Sequence, residues 1–150
     1  MVMRYRFNKN KISEISKKII EKLLKMDIKK ARVVALSGEL GAGKTTLTQE
    51  LAKQFGIKEN IVSPTFVIMK IYDMNESSKY YSHFKRLIHI DAYRLDSHKE
   101  LLNIGWESLI VDKENLIIIE WPERVTECIS DSDFKVTLSH IDDENRLIIF

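Results

Sequence analysis

The nine residues Gly38–Thr46, GELGAGKTT, constrain this chain more than any other stretch. They fit the spacing G-x-x-x-x-G-K-[ST] at Gly38, Gly43, Lys44 and Thr45. They also follow an apolar, strand-like run, RVVALSG, and open a helix-like one, KTTLTQELAKQFG, closed by Gly56. Glycines without a Cβ let the backbone curl so that consecutive N–H groups point at phosphate oxygens. The helix that follows adds its positive end to the same anion. Glu39, Leu40, Gly41, Ala42 and Gly43 are therefore expected to form a phosphate cradle. Lys44 is expected to reach the β- and γ-phosphates, and the Thr45 hydroxyl to coordinate Mg²⁺. The chain is expected to bind a nucleoside triphosphate.

A cradle of this kind sits at the carboxyl edge of a sheet, so the remaining strands decide what faces it. RLIHID ends in Asp91, and NLIIIEW, apolar on both faces, delivers Glu120 just before Pro122. Mg²⁺ takes one or two carboxylates plus phosphate and water. Glu120 is thus the expected metal-side acid. Asp91 is expected to orient or deprotonate an attacking water, or to hold a metal-bound one. His89 alternates with Asp91 and points to the same face, as a core residue or a catalyst. Ser63 and Thr65 flank Pro64 in SPTF and present hydroxyls in a segment suited to sensing the γ-phosphate, or in a plain turn. Arg94 reads as a phosphate contact or a structural ion pair, and Trp121 as a contact surface or a hydrophobic plug.

The other elements follow from punctuation and period. VMRYRF alternates as an edge strand, and Asn10 caps a helix with Ile12, Ile15, Ile19, Leu23 and Met26 on one face. TFVIMKIYD reads as a strand and MNESSKYYS as a polar connection. Ser97 and Glu100 have capping-box spacing, with Gly105 as the stop. KVTLSHIDDENRLIIF reads as a hairpin. Strands alternating with helices, two of them apolar on both faces, predict an α/β fold. Its mainly parallel sheet carries antiparallel edge strands and helices on both faces, the P-loop NTPase fold, as one domain over residues 1–150.

Composition excludes more than it selects. A formal net charge of +2 is too small to argue nucleic-acid binding, although a local basic patch remains compatible with it. The single cysteine, Cys128, lacks a disulfide partner and metal-ligand spacing, and reads as a small buried hydrophobe. The first residues lack the apolar core of a signal peptide, and no run reaches about 18 apolar residues, so a soluble cytoplasmic protein is expected.

Taken in order, GELGAGKTTLTQ, SPTF, HIDAYRL, IG and EWPER resemble the bacterial TsaE (YjeE) family, small P-loop ATPases of tRNA threonylcarbamoyladenosine biosynthesis. The resemblance spans residues 38–124. It implies a cytoplasmic ATPase that binds the complex of TsaD with TsaB. It also implies that ATP hydrolysis there supports modification of adenosine 37 in tRNAs reading codons that begin with A, and it leaves open whether tRNA is contacted directly or only indirectly through the complex. Carried over by motif, Lys44, Thr45 and Thr46 serve phosphate and Mg²⁺, Glu120 is the second metal-side acid, Asp91 is required, and Thr65 belongs to the switch-like segment. Trp121 would fall near the site or a tRNA-facing surface, and the termini would help hold adenine. Arg94 and Arg124 are the candidate arginine fingers. A small-molecule kinase would use the same loop but carry an Arg-rich lid, and the stretch from Lys70 to Arg86 is short and poor in arginine. A GTPase would carry N-K-x-D after a strand, and the sequence has none. A nucleotide-binding module without turnover is the third alternative.

Overall fold

The computed structural model describes residues 1–27 and 29–150. Its seven strands are β1 (Arg4–Asn8), β2 (Arg32–Gly38), β3 (Met69–Asp73), β4 (Arg86–Asp91), β5 (Asn115–Glu120), β6 (Phe134–His140) and β7 (Asn145–Ile149). The four α-helices are α1 (Ile12–Leu24), α2 (Lys44–Gln54), α3 (His98–Asn103) and α4 (Trp106–Val111). The strands form one sheet in the order β1-β7-β6-β2-β5-β4-β3. The central four, β6, β2, β5 and β4, are parallel. β7 and β1 close one side antiparallel, and β3 closes the other.

This is the α/β fold expected, with a mainly parallel sheet and helices on both faces. The structure adds two details: antiparallel strands stand at both edges, and β6, the first strand of the C-terminal hairpin, pairs parallel with β2. The hairpin therefore extends the parallel sheet by one strand before it turns back.

The apolar strands are buried because both faces of the sheet are covered. Val34, Leu36, Leu116 and Ile118 face α1 and α2, where Ile15, Ile19, Leu23, Leu47 and Leu51 complete one core. Val33, Ala35, Ile117 and Ile119 face the other way, onto Leu101 of α3 and Trp106 of α4. Leu116–Ile119 are all fully buried. At roughly 1.5–3 kcal/mol each, these four side chains contribute a gross 6–12 kcal/mol before chain entropy is counted. No described helix is long and apolar enough to cross a membrane.

Four local expectations are corrected. Asn10 does not cap α1: Asn8 caps a 3₁₀ turn over Lys9–Lys11, its Oδ1 accepting from the Asn10 N–H, and α1 follows with Lys11 at its N-cap and no side-chain cap bond. The strand expected over 65–73 forms only from Met69, because the Val67 and Ile68 N–H groups bond back to the Pro64 carbonyl. Glu100 does not close a capping box on Ser97; its Oε1 accepts from the Asp96 N–H instead. Gly105 does stop α3, but at φ 96° it also serves as the N-cap of α4, a helix the sequence reading missed.

Candidate nucleoside triphosphate site

The parallel strands end together, so β2, β4 and β5 deliver their last residues to one edge. Gly38 leaves β2 with φ 156°, and a Cβ there would lie 2.4 Å from the Leu138 carbonyl oxygen of β6. Only glycine lets the loop start this close to the neighbouring strand. Gly43, at φ 105°, then caps α2. Between them the Ala42 N–H bonds to the Glu39 carbonyl, folding the loop tightly.

A cleft of about 330 Å³ opens over this loop. Leu40, Gly41, Gly43, Lys44, Thr45 and Thr46 line it from the loop and the start of α2. Glu120 and Trp121 line it from the end of β5, Asp91 and Tyr93 from the end of β4, and Ser63 and Thr65 from the SPTF segment. Glu39 and Ala42, also expected in the cradle, do not line it. Ala42 is buried in the core, and the Glu39 side chain accepts from the His140 N–H at 3.0 Å.

Thr45 and Glu120 meet across the cleft floor. The Thr45 hydroxyl donates to Glu120 Oε1 at 3.1 Å and lies 3.3 Å from Oε2. Adjacent ligands of an octahedral Mg²⁺ with bonds of 2.0–2.1 Å stand about 3 Å apart. The Thr45–Glu120 spacing therefore fits two neighbouring positions of that ion. Among the described residues no group of three or more His, Cys, Asp or Glu converges, so the donor set suits a cation that draws its remaining ligands from phosphate and water.

His89 Nε2 lies 2.8 Å from Glu120 Oε1, and both side chains are buried. The histidine holds one carboxylate oxygen in place from below, a contact that sequence alone did not reveal. Lys44 Nζ donates to the carbonyls of Gly38 and Glu39 at 2.6 and 3.0 Å and sits 4.1 Å over the Trp121 ring. Burial pushes the Lys44 ammonium below its ordinary pKa, while Glu120, Glu123, Asp91 and Glu39 pull it back up.

Asp91 is a hub. Its Oδ2 accepts from Ser63 and Thr65 at 3.1 and 2.8 Å, and its Oδ1 accepts from the Tyr93 N–H at 3.0 Å. The SPTF segment is thereby tied to the end of β4. Trp121 turns the chain out of β5 at φ 57° and ψ 49°, immediately before Pro122. Ile68, at φ 68°, makes the matching bend at the end of the SPTF segment. Left-handed backbone in bulky residues costs about 1–3 kcal/mol each, and of the two, Trp121 lines this cleft. The Trp121 indole packs on Tyr93 with ring centroids 4.9 Å apart. The candidate fingers lie elsewhere: Arg94 stacks on Phe66 at 4.5 Å, and Arg124 stands 5.8 Å from the Tyr93 ring.

Similarity to known proteins agrees with this geometry. The model of the family described as "Threonylcarbamoyl adenosine biosynthesis protein TsaE" matches residues 8–148. A protein named tRNA threonylcarbamoyladenosine biosynthesis protein TsaE from Rickettsia felis is 35% identical over 136 residues, covering 90% of this chain and 74% of the relative. Its namesake from Haemophilus influenzae is 33% identical over 131 residues, covering 87% and 77%. The crystal structure of the Bacillus protein YdiB matches in fold with a TM-score of 0.71 at 24% identity, covering 100% of this chain and 84% of that one. With this motif order, this cleft and these relatives, the chain belongs to the TsaE family.

Proposed function

We propose that the chain is a magnesium-dependent ATPase of the cytoplasm. In this reading it acts as one domain with the TsaD–TsaB complex and supports threonylcarbamoylation of adenosine 37 in tRNAs reading A-starting codons. The family places it in tRNA threonylcarbamoyladenosine biosynthesis. The observation that carries the finer reading is the 3.1 Å approach of Thr45 to Glu120 beside the phosphate loop.

The loop amides of Leu40, Gly41 and Gly43, together with Lys44, would hold the β- and γ-phosphates, with Thr46 alongside. Thr45 and Glu120 would hold Mg²⁺, which supplies charge neutralisation to the phosphate oxygens. His89 keeps Glu120 aimed at that position. Asp91 accepts from Ser63, Thr65 and the Tyr93 N–H, three of about four acceptor sites on its carboxylate. It would fix the SPTF segment opposite the γ-phosphate, and its remaining acceptor site can serve the attacking or metal-bound water. Catalysis by such a site is mostly positioning and charge stabilisation. Neither Arg94 nor Arg124 lines the cleft, which supports a slow basal rate raised by a partner.

The test is ATP hydrolysis by the chain alone and with the TsaD–TsaB complex. Stimulation by the complex is expected, with phosphate released and no phosphorylated acceptor formed. Equal rates would remove the partner from the proposal, and a phosphorylated small molecule would favour a kinase.

A further inference from the structure

The net charge of +2 conceals a sharp division. Residues 1–32 carry 11 Lys and Arg against 3 Asp and Glu, a formal +8; residues 33–150 carry 13 against 19, a formal −6. The structure shows where the excess goes. Lys11, Lys18, Lys22 and Lys25 fall at i, i+7, i+11 and i+14 along α1 and its two caps. At 100° per residue they lie within roughly 60° of one another and extend over about 21 Å. Lys11, Lys18 and Lys25 are exposed and Lys22 is half-buried. Among the described residues none of the four has a carboxylate within 4 Å, although Glu14 and Glu21 flank the row.

Beside the row runs a groove of about 370 Å³ between α1 and the edge strand β1, bordered by Tyr5, Arg6, Asn8, Lys11, Glu14 and Lys18. Lys18 Nζ stands 5.3 Å over the Tyr5 ring, which stacks on Phe150. Like-charged lysines in a line, next to an aromatic-floored groove, match a strand of regularly spaced phosphates. The apolar face of α1 is largely spent: Ile15, Ile19, Ile20 and Leu23 are buried in the core, so the helix offers no free apolar stripe to a lipid surface.

We propose that the lysine row of α1 and the α1–β1 groove form a docking surface for the phosphate backbone of RNA, with tRNA the ligand that the family implies. None of these residues borders the nucleotide cleft. The proposal rests on the tRNA context of the family and not on ATP hydrolysis, so the two readings fail separately.

The probe is an unmodified tRNA transcript, titrated with the full chain by fluorescence anisotropy from about 50 to 200 mM salt, the range over which phosphate pairing weakens steeply. Affinity should fall with salt. Replacing all four lysines by glutamine should weaken binding by at least about tenfold at low salt. It should also reduce the log–log salt slope by about one for each phosphate left without its lysine. Basal ATP hydrolysis and the melting temperature should stay unchanged. Should that variant fail to fold, the double variant Glu14→Gln/Glu21→Gln gives the opposite sign, and tighter tRNA binding is expected. Unchanged affinity and slope in either variant overturns the proposal. So does a wild-type chain that ignores tRNA, or one that binds polyglutamate or anionic vesicles equally well.

Discussion

The two sides of the candidate cleft are built differently. The floor and cradle side is buried and cross-bonded: Lys44, Glu120 and His89 are all about 5% exposed or less, and each makes at least one bond within the protein, His89 through Nε2. The opposite rim, residues 62–68, is tied to Asp91 by two hydroxyl bonds and by the Asp91 N–H to the Ile68 carbonyl, and it exposes Phe66 at 85% and Val67 at 67%. The floor is locked by buried bonds; the exposed rim is expected to be the more adaptable side.

Substitutions that cross this divide should have graded effects. Glu120→Gln removes the floor's negative charge while keeping its size. Hydrolysis should fall by about 10²–10³-fold, with ATP binding largely retained, as measured by single-turnover phosphate release and nucleotide titration. Next, His89→Leu leaves Glu120 without its buried partner. Half-saturating Mg²⁺ should rise about 10–100-fold, while hydrolysis at saturating Mg²⁺ falls much less. An unchanged Mg²⁺ requirement would show that the bond does not position the carboxylate. On the adaptable side, Thr65→Val deletes one hydrogen bond to Asp91. The turnover number should drop by about tenfold or less, the value of a single bond of about 1 kcal/mol. Smallest of all, Phe66→Ser on the exposed rim should leave stability within about 0.5 kcal/mol and basal hydrolysis nearly unchanged. A large loss of stability there would mean the rim is as rigid as the floor.

The floor was legible in the sequence because its signals are local. Gly38, Gly43, Lys44 and Thr45 are fixed by spacing, and the apolar run before Glu120 places that acid at a strand end. The rim was misread for the same reason. TFVIMKIYD alternates like a strand, yet the Pro64 carbonyl captures two N–H groups and Ile68 turns to positive φ, neither of which alternation encodes. Gly105 was read as a stop, but a left-handed glycine ends one helix and begins the next equally well. The His89–Glu120 bond depends on the pairing of β4 with β5, a long-range register that no short window contains. The lysine row was present in the letters all along, hidden by averaging charge over the whole chain.

The lysine of the phosphate loop has one more consequence. In this structure its ammonium bridges two loop carbonyls and leans on an indole. A triphosphate that recruits it must break both bonds and uncover the ring. If the chain binds nucleotide as proposed, its arrival is an exchange of partners and should register in the emission of Trp121. The other tryptophan, Trp106, is buried in the core at the start of α4, does not line the cleft and should stay silent.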